Sequence, residues 1–185
     1  MDAGRVTAID IANFFILYFQ GEDNDLTVTK LNKLVYYAQG HYLAEKGVPL
    51  FNEEIEAWSH GPVIPSVYRK FKNQGILAKT SEGFCEDKIT DEIRDMLLDV
   101  AMTFEEYSAS ALTRLTHKKG TPWSKNEPKE GERHKIIPKD CIKEYFVAGE
   151  EKIEKFDIAT FAMNNLPCLE IKEDTTIPSE DWIYG

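Results

Sequence analysis

The sequence has few cysteines and no long apolar segment. Its three cysteines, Cys85, Cys141 and Cys168, are far apart and form no C-x-x-C pair. Neither a zinc knuckle nor a thioredoxin-like motif is supported, and reduced thiols are expected. The apolar run at residues 9–19 is shorter than the roughly 20 residues of a membrane span, and no basic targeting region precedes it. We therefore predict a cytoplasmic protein without a membrane partner.

Positive charge is also scarce. The chain has 22 Lys and Arg residues against 32 Asp and Glu residues, which gives a formal net charge of −10. Since binding to nucleic acid phosphates needs a basic footprint, no direct nucleic acid binding is expected. The small cluster of Arg69, Lys70 and Lys72 is more typical of a solvated helix face. With 42% hydrophobic and 29% charged residues, the composition is that of a globular domain.

The sequence also lacks a recognisable catalytic or metal-binding motif. The four histidines, His41, His60, His117 and His134, fit no zinc spacing, and no H-E-x-x-H motif occurs. We predict structural or surface roles for them, and no catalytic residue, metal or cofactor. An unrecognised enzyme or phage-associated regulatory protein with a pocket near His60 and His117 remains an alternative, because catalytic groups assemble in space rather than in sequence.

The sequence does contain a series of helical patterns, arranged around residues 31–71. A long helix is predicted to begin after Thr27 or Thr29, either of which can cap it, and to end at Gly47. Its polar residues Lys30, Lys33 and Gln39 lie away from the apolar stripe on the helical wheel. That stripe, which we expect in the core, consists of Leu31, Leu34, Val35, Ala38 and Tyr42.

Further elements follow this helix. Alternation of polar and apolar residues near Ile55 to Trp58 predicts a short strand, and Gly61-Pro62 predicts a turn. Pro65 fits the first turn of a third helix. The later pattern consists of helix starts at Thr90, at Ser108 or Ser110 and at Pro138, and of a long polar loop that begins at Thr121-Pro122-Trp123.

These elements predict a mainly α fold, a compact helical domain of about six helices with a short extended or β segment. We expect this domain at residues 1–149 and a C-terminal extension at residues 150–185. The extension is acidic, with nine acidic residues against three lysines, but it also carries apolar residues. It is expected to pack on the domain, to become ordered on a partner, or to present the chain to a protease.

Several short motifs occur in an order that resembles a known family. They are Leu31-x-x-Leu34-x-Tyr36-Tyr37-Ala38, Glu56-Ala57-Trp58-x-x-Gly61-Pro62-Val63, Val67-Tyr68, Leu115-Thr116-His117, Pro122-Trp123 and Ile142-x-x-Tyr145-Phe146. Together they resemble the Panacea domain of the SocA-like antitoxins, which is also found in phage-associated GepA-like proteins. The similarity runs from about Val6 to Phe146.

This resemblance implies a mainly helical antitoxin of a toxin–antitoxin system. Such antitoxins neutralise a cognate protein toxin by direct contact, and the family implies no enzymatic activity and no cofactor. In one branch, the SocA-like proteins, the antitoxin is instead a proteolytic adaptor that delivers its toxin to a ClpXP-type protease. The expected partners are therefore a toxin and, in the adaptor alternative, that protease.

The partner-binding surface is predicted at aromatic residues beside turns and in the extension. Exposed aromatic patches are typical of interfaces, but tryptophans also fill cores, so Trp58 and Trp123 as core residues remain the alternative. The predicted partner-binding residues are Trp58, His60, Tyr68, His117, Trp123, Phe161, Trp182 and Tyr184.

Overall fold

The computed structural model of the chain describes residues 6–20, 26–73, 88–129, 132 and 134–149. Within these residues the chain forms helices and a small sheet, which confirms the predicted mainly α fold with a short β segment. The elements are α1 (Ala8–Tyr18), α2 (Val28–Lys46), β1 (Glu56–Trp58), β2 (Gly61–Val63), α3 (Pro65–Phe71), α4 (Asp91–Phe104), α5 (Ala109–Thr116), α6 (Pro122–Lys125), β3 (Lys135–Ile136) and α7 (Lys139–Val147).

Helix α2 is the centre of the fold. The hydroxyl of Thr27 caps its start by accepting a hydrogen bond from the backbone N–H of Lys30, and Gly47 ends it in a left-handed conformation with φ 74°. The helix packs against α1, α4, α5 and α7. Of the predicted stripe, the residues that are buried are Leu31, Leu34, Val35 and Ala38, while Tyr42 is half-buried.

The polar residues of α2 are buried as well as its apolar stripe. Lys30, Lys33 and Gln39 lie away from that stripe on the helical wheel, yet all three are buried, because neighbouring elements surround residues 30–40 of this helix. Buried polar groups need internal hydrogen bonds. The Gln39 amide accepts from the backbone N–H groups of Leu50 and Phe51 and donates to the carbonyl of Phe51 at 3.1 Å. Gln39 thereby anchors the segment at Leu50 and Phe51 to α2.

The strands form one antiparallel sheet in the order β2-β1-β3. The turn predicted at Gly61-Pro62 lies two residues earlier in the structure. Trp58 pairs with Gly61, so that the turn residues are Ser59 and His60, and Gly61 and Pro62 already belong to β2. Proline is tolerated at this position because β2 is an edge strand of the described sheet, where a missing N–H leaves no neighbouring strand unpaired.

Most of the later helix starts are confirmed. Thr90, Ser108 and Pro138 each precede the first residue of a helix, and the hydroxyls of Thr90 and Ser108 accept capping hydrogen bonds. The long polar loop predicted from Thr121 is interrupted by the short helix α6, which Thr121 caps and which carries Trp123. Four residues are too few to show a helical period, so the pattern of the sequence did not reveal α6.

Part of what the sequence predicts falls outside the described residues. This applies to the C-terminal extension at residues 150–185 and to its partner-binding candidates Phe161, Trp182 and Tyr184. Among the helices that the structure describes, none combines the length and the apolar character needed to cross a membrane. Cys141 is a free thiol.

Candidate functional site

The β1–β2 hairpin lies directly on buried side chains of α2 and α5. Gly61 has φ 99°, in the left-handed region that favours glycine. A Cβ atom at this position would lie 2.7 Å from Oγ1 of Thr116 and 2.8 Å from Cε of Lys33. The close approach that glycine permits therefore fixes the position of the neighbouring Trp58 and His60.

Trp58 is half-buried in a cluster of rings beside this hairpin. Its indole stacks on the ring of His134 with centroids 4.4 Å apart, and it meets the ring of Tyr68 edge-on at 4.9 Å. The indole N–H donates to a carboxylate oxygen of Glu56 at 2.7 Å. The ammonium of Lys72 lies 5.9 Å from the centre of the Tyr68 ring. The contacts with His134, Tyr68 and Glu56 thus hold the Trp58 side chain in one orientation.

Trp123 supports this cluster from the core. It is only 5% exposed, and its indole N–H donates to the carbonyl of Trp58 at 2.8 Å. The ring of His117 stacks on it in parallel, with centroids 3.6 Å apart. The hydroxyl of Thr121 donates to the carbonyl of Thr116 at 2.7 Å, which ties the start of α6 to the end of α5. Trp123 is therefore a core residue, as the alternative interpretation of the tryptophans expects.

A buried lysine lies beneath the hairpin. The Nζ atom of Lys33 donates to the carbonyl of Pro62 at 3.0 Å, and burial lowers the pKa of this lysine to about 7. Burial also lowers the pKa of His117, and the nearby charges of Lys33 and His60 act in the same direction. His117 is thus neutral at neutral pH. Its buried Nε2 atom has no hydrogen-bond partner among the described residues.

The structure brings together the five predicted partner-binding residues that it describes. His60 is exposed at the hairpin turn, Trp58 and Tyr68 are half-buried, His117 is half-buried above Trp123, and Trp123 is buried. Their role in binding stays a prediction. We name the group of Trp58, His60, Tyr68, His117 and His134, together with the buried Trp123 that forms its base, the aromatic surface.

Two members of this region were missed in the sequence. His134 reaches Trp58 through β3, which pairs with β1 and is only two residues long, so no alternation marks it. Lys33 has the appearance of a solvated helix residue, and only the tertiary contact with Pro62 shows that it is not. The sequence signal available for Lys33 was the pair of aromatic residues one helical turn further on, Tyr36 and Tyr37, which lie on the same side of α2 as Lys33.

The aromatic surface consists of aromatic rings with polar edges. Among the described residues, no group of three or more His, Cys, Asp or Glu side chains is arranged to hold a metal ion. Rigid aromatic rings with one polar edge are enriched among the residues that dominate protein–protein binding.

Comparison with known proteins gives the family of the chain. The family model described as "Antitoxin SocA-like, Panacea domain" matches residues 31–124. This chain belongs to the SocA-like Panacea family. The Panacea match begins within α2 and ends within α6, and it includes all five described partner-binding candidates, whereas β3 and α7 follow it. The resemblance that the sequence motifs indicated is thus confirmed.

A curated relative extends the similarity beyond the Panacea match. Antitoxin SocA of Caulobacter vibrioides (strain NA1000 / CB15N) is 32% identical to this chain over 133 residues, which cover 66% of this chain and 71% of the relative. No solved structure matches the chain.

Proposed function

We propose that this protein is a cytoplasmic, non-enzymatic antitoxin that neutralises a cognate protein toxin by direct binding through the aromatic surface. The observation that carries the proposal is membership of the SocA-like Panacea family, together with the identity of 32% to an antitoxin. The aromatic surface lies within the segment that the family model matches, apart from His134. In this proposal the toxin contacts Trp58 and Tyr68 with its own functional surface, which the antitoxin thereby covers.

The contacts of the aromatic surface hold its side chains in place before a partner binds. The ring of Trp58 is held between His134 and Tyr68, and its indole N–H is already satisfied by Glu56. Binding therefore orders few additional side chains. Since ordering side chains is a main cost of association, this cost is small here. Trp and Tyr are enriched among the few interface residues whose truncation weakens binding by about 2 kcal/mol or more.

The test compares two tyrosines. The toxin encoded beside this gene is co-expressed with the wild-type chain, with Tyr68→Ala, or with Tyr107→Ala, and growth and complex formation are measured. Tyr107 is 40% exposed and packs edge-on against Phe104, away from the aromatic surface, and is the matched control. We expect Tyr68→Ala to weaken the complex by about tenfold. Equal effects of both variants, or a neighbouring product that is not toxic, would refute the proposal.

Delivery of the toxin to a ClpXP-type protease makes a different prediction. An adaptor shortens the half-life of the toxin only in cells that contain the protease, whereas an occluding antitoxin leaves the toxin intact in a stable complex. Pulse-chase measurement of the toxin in both strains, with wild-type and Tyr68→Ala chains, therefore separates the two mechanisms.

A further inference from the structure

A groove on a different part of the molecule combines negative charge with an apolar floor. It has a volume of about 600 Å³ and lies between helices α2, α4 and α7. None of its lining residues belongs to the aromatic surface. We name it the acidic groove, and its lining residues are His41, Ala44, Glu45, Glu92, Asp95, Met96, Asp99, Phe146 and Val147.

The walls of the acidic groove carry a regular row of carboxylates. Glu92, Asp95 and Asp99 are spaced by three and four residues and thus lie on one face of α4, while Glu45 lines the groove from α2. The eight residues from Glu92 to Asp99 span about 10 Å of helix axis, or two turns. Lys46 pairs with Glu45 and Glu92, so the three carboxylates of Glu45, Glu92 and Asp95 outnumber this one cation at the edge of the groove.

The floor of the groove is apolar and partly uncovered. Val147 is 61% exposed, and Met96 is half-buried beside it in the lining. His41 meets the ring of Phe146 edge-on at 4.8 Å, and its buried Nε2 atom has no hydrogen-bond partner among the described residues. An uncovered apolar strip between charged walls is the form that receives one face of an amphipathic helix.

We propose that the acidic groove is a docking site for a basic amphipathic helical segment of a partner protein. An apolar stripe of that segment covers Met96 and Val147, and a Lys or Arg side chain faces Asp95. Charge complementarity selects this occupant, because a neutral or acidic helix would leave Asp95 in a desolvated interface without counter-charge. The described residues offer no cluster with metal-binding geometry, so the wall is not arranged for a bare cation.

This proposal goes beyond the antitoxin function proposed above. The groove includes α7, which lies outside the segment that the family model matches. Its residues are also different from those of the aromatic surface, so the two sites are separable by mutation.

The test uses a designed helical peptide as the probe. A fluorescein-labelled peptide of about 18 residues carries Leu on one face and Lys flanking it, and a scrambled peptide of the same composition is the control. Binding to the full-length protein is measured by fluorescence anisotropy. We expect the amphipathic peptide to bind at least about tenfold more tightly than the scrambled one, and its binding to weaken when NaCl is raised from about 50 to about 500 mM.

Two pairs of variants locate the binding. Asp95→Lys is matched by Glu144→Lys, an exposed carboxylate on α7 that does not line the groove. Val147→Ser is matched by Val48→Ser, since Val48 is 53% exposed and does not line the groove either. We expect each groove variant to weaken peptide binding by about tenfold and each control to stay within about twofold. Circular dichroism melts verify that all four variants fold. Equal behaviour of groove and control variants, or of the two peptides, would overturn the proposal.

Two further measurements separate the competing outcomes. Light scattering coupled to gel filtration detects a second copy of the chain as occupant, and a dimer that Val147→Ser dissociates would overturn the proposal of a basic partner helix. Peptide binding requires no toxin. Failure of toxin neutralisation therefore refutes the proposed antitoxin function alone, and failure of peptide binding refutes the groove alone.

Discussion

The aromatic surface and the acidic groove are built in opposite ways. In the aromatic surface, residues from a hairpin, two helices and a short strand are interlocked by ring contacts and by hydrogen bonds such as that from Trp123 to the carbonyl of Trp58. In the acidic groove, the walls are the ordinary outer faces of α2 and α4, and their carboxylates come from simple helical spacing. The first site depends on tertiary packing, whereas the second depends on helix placement and charge.

Each site also lies near a titratable side chain that the fold buries. Lys33 lies beneath the hairpin of the aromatic surface, and His41 lines the floor of the acidic groove. Burial lowers the pKa of Lys33 to about 7 and that of His41 to about 4. Because these pKa values define different pH windows, the stability of the protein can report on the two regions separately.

The largest effect is expected where the hairpin meets the core. Gly61→Ala forces a side chain into a left-handed backbone and places Cβ 2.7 Å from Thr116. We expect the free energy of unfolding to fall by about 3 kcal/mol, the sum of backbone strain and overpacking. The measurement is urea unfolding followed by circular dichroism.

Gly120→Ala is the matched control for this prediction. Gly120 has a similar φ of 94°, but a Cβ atom there would meet nothing within 4 Å. Its replacement should therefore cost only the backbone strain, about 1 kcal/mol. Equal losses for Gly61→Ala and Gly120→Ala would show that the hairpin does not press on Lys33 and Thr116 as tightly as the geometry indicates.

The second prediction concerns the lysine under the aromatic surface. Between its folded pKa of about 7 and its unfolded value of 10.5, Lys33 is neutral in the folded protein and protonated in the unfolded chain. The unfolded state then binds more protons, so stability rises with pH in this window. Relative to Lys33→Met, which removes the titrating group, the wild type should gain about 2 to 3 kcal/mol between roughly pH 7.5 and 9.5.

The readout is the difference between the two unfolding free energies at each pH, in which the titrating groups that Lys33 does not influence cancel. His117, whose pKa the charge of Lys33 lowers, is neutral in this window. Parallel pH profiles of wild type and Lys33→Met would mean that Lys33 keeps an ordinary pKa and is not buried as described. A constant offset between the profiles carries no information on this point, because the variant also leaves the carbonyl of Pro62 without its donor.

Lys33 also shows where prediction from the sequence ends. The caps at Thr27, Thr90 and Ser108 and the stripe of α2 are local features, and their chemistry was sufficient to predict them. The burial of Lys33 depends on the carbonyl of Pro62, 29 residues away, which no local pattern contains. The hairpin turn was misplaced because the pairing of Trp58 with Gly61 sets its position, and α6 was missed because four residues are too few to show a helical period.

The candidate sites were predictable to different degrees. Aromatic residues beside turns and the family resemblance together predicted five members of the aromatic surface, but His134 enters it only through strand pairing. The acidic groove was not predicted, since Glu92, Asp95 and Asp99 have the spacing of a solvated helix face. What makes them a groove is the placement of α7 beside α4, which is a property of the tertiary fold.

The third prediction tests the histidine of the groove. Between its unfolded pKa of 6.5 and its folded value of about 4, His41 is protonated in the unfolded chain and neutral in the folded protein. The contribution of His41 to the free energy of unfolding is therefore fully present above pH 6.5, and it is lost as the pH falls through this window. Compared with His41→Gln, the wild type should lose about 2 kcal/mol between roughly pH 6.5 and 4.5.

This acid window lies below the window of Lys33, so the same series of unfolding experiments measures both. If the profile of His41→Gln runs parallel to that of the wild type, the imidazole is solvated and the floor of the groove is more open than described.

The smallest effect on stability, but a specific effect on binding, is expected at the edge of the groove. The side chain of Lys46 is 27% exposed and pairs with Glu45 and Glu92 at the surface, and these hydrogen bonds raise its pKa. Exposed ion pairs contribute little to folding, so Lys46→Gln should leave the unfolding midpoint unchanged. The same substitution removes a cation that competes for the wall carboxylates, and the affinity for the cationic amphipathic peptide should rise by about two- to threefold at low salt.

The control is Lys70→Gln. Lys70 is an exposed lysine on α3, so this substitution removes the same charge away from the groove and should leave peptide binding unchanged. An equal rise with both variants would assign the effect to the net charge of the protein rather than to the acidic groove.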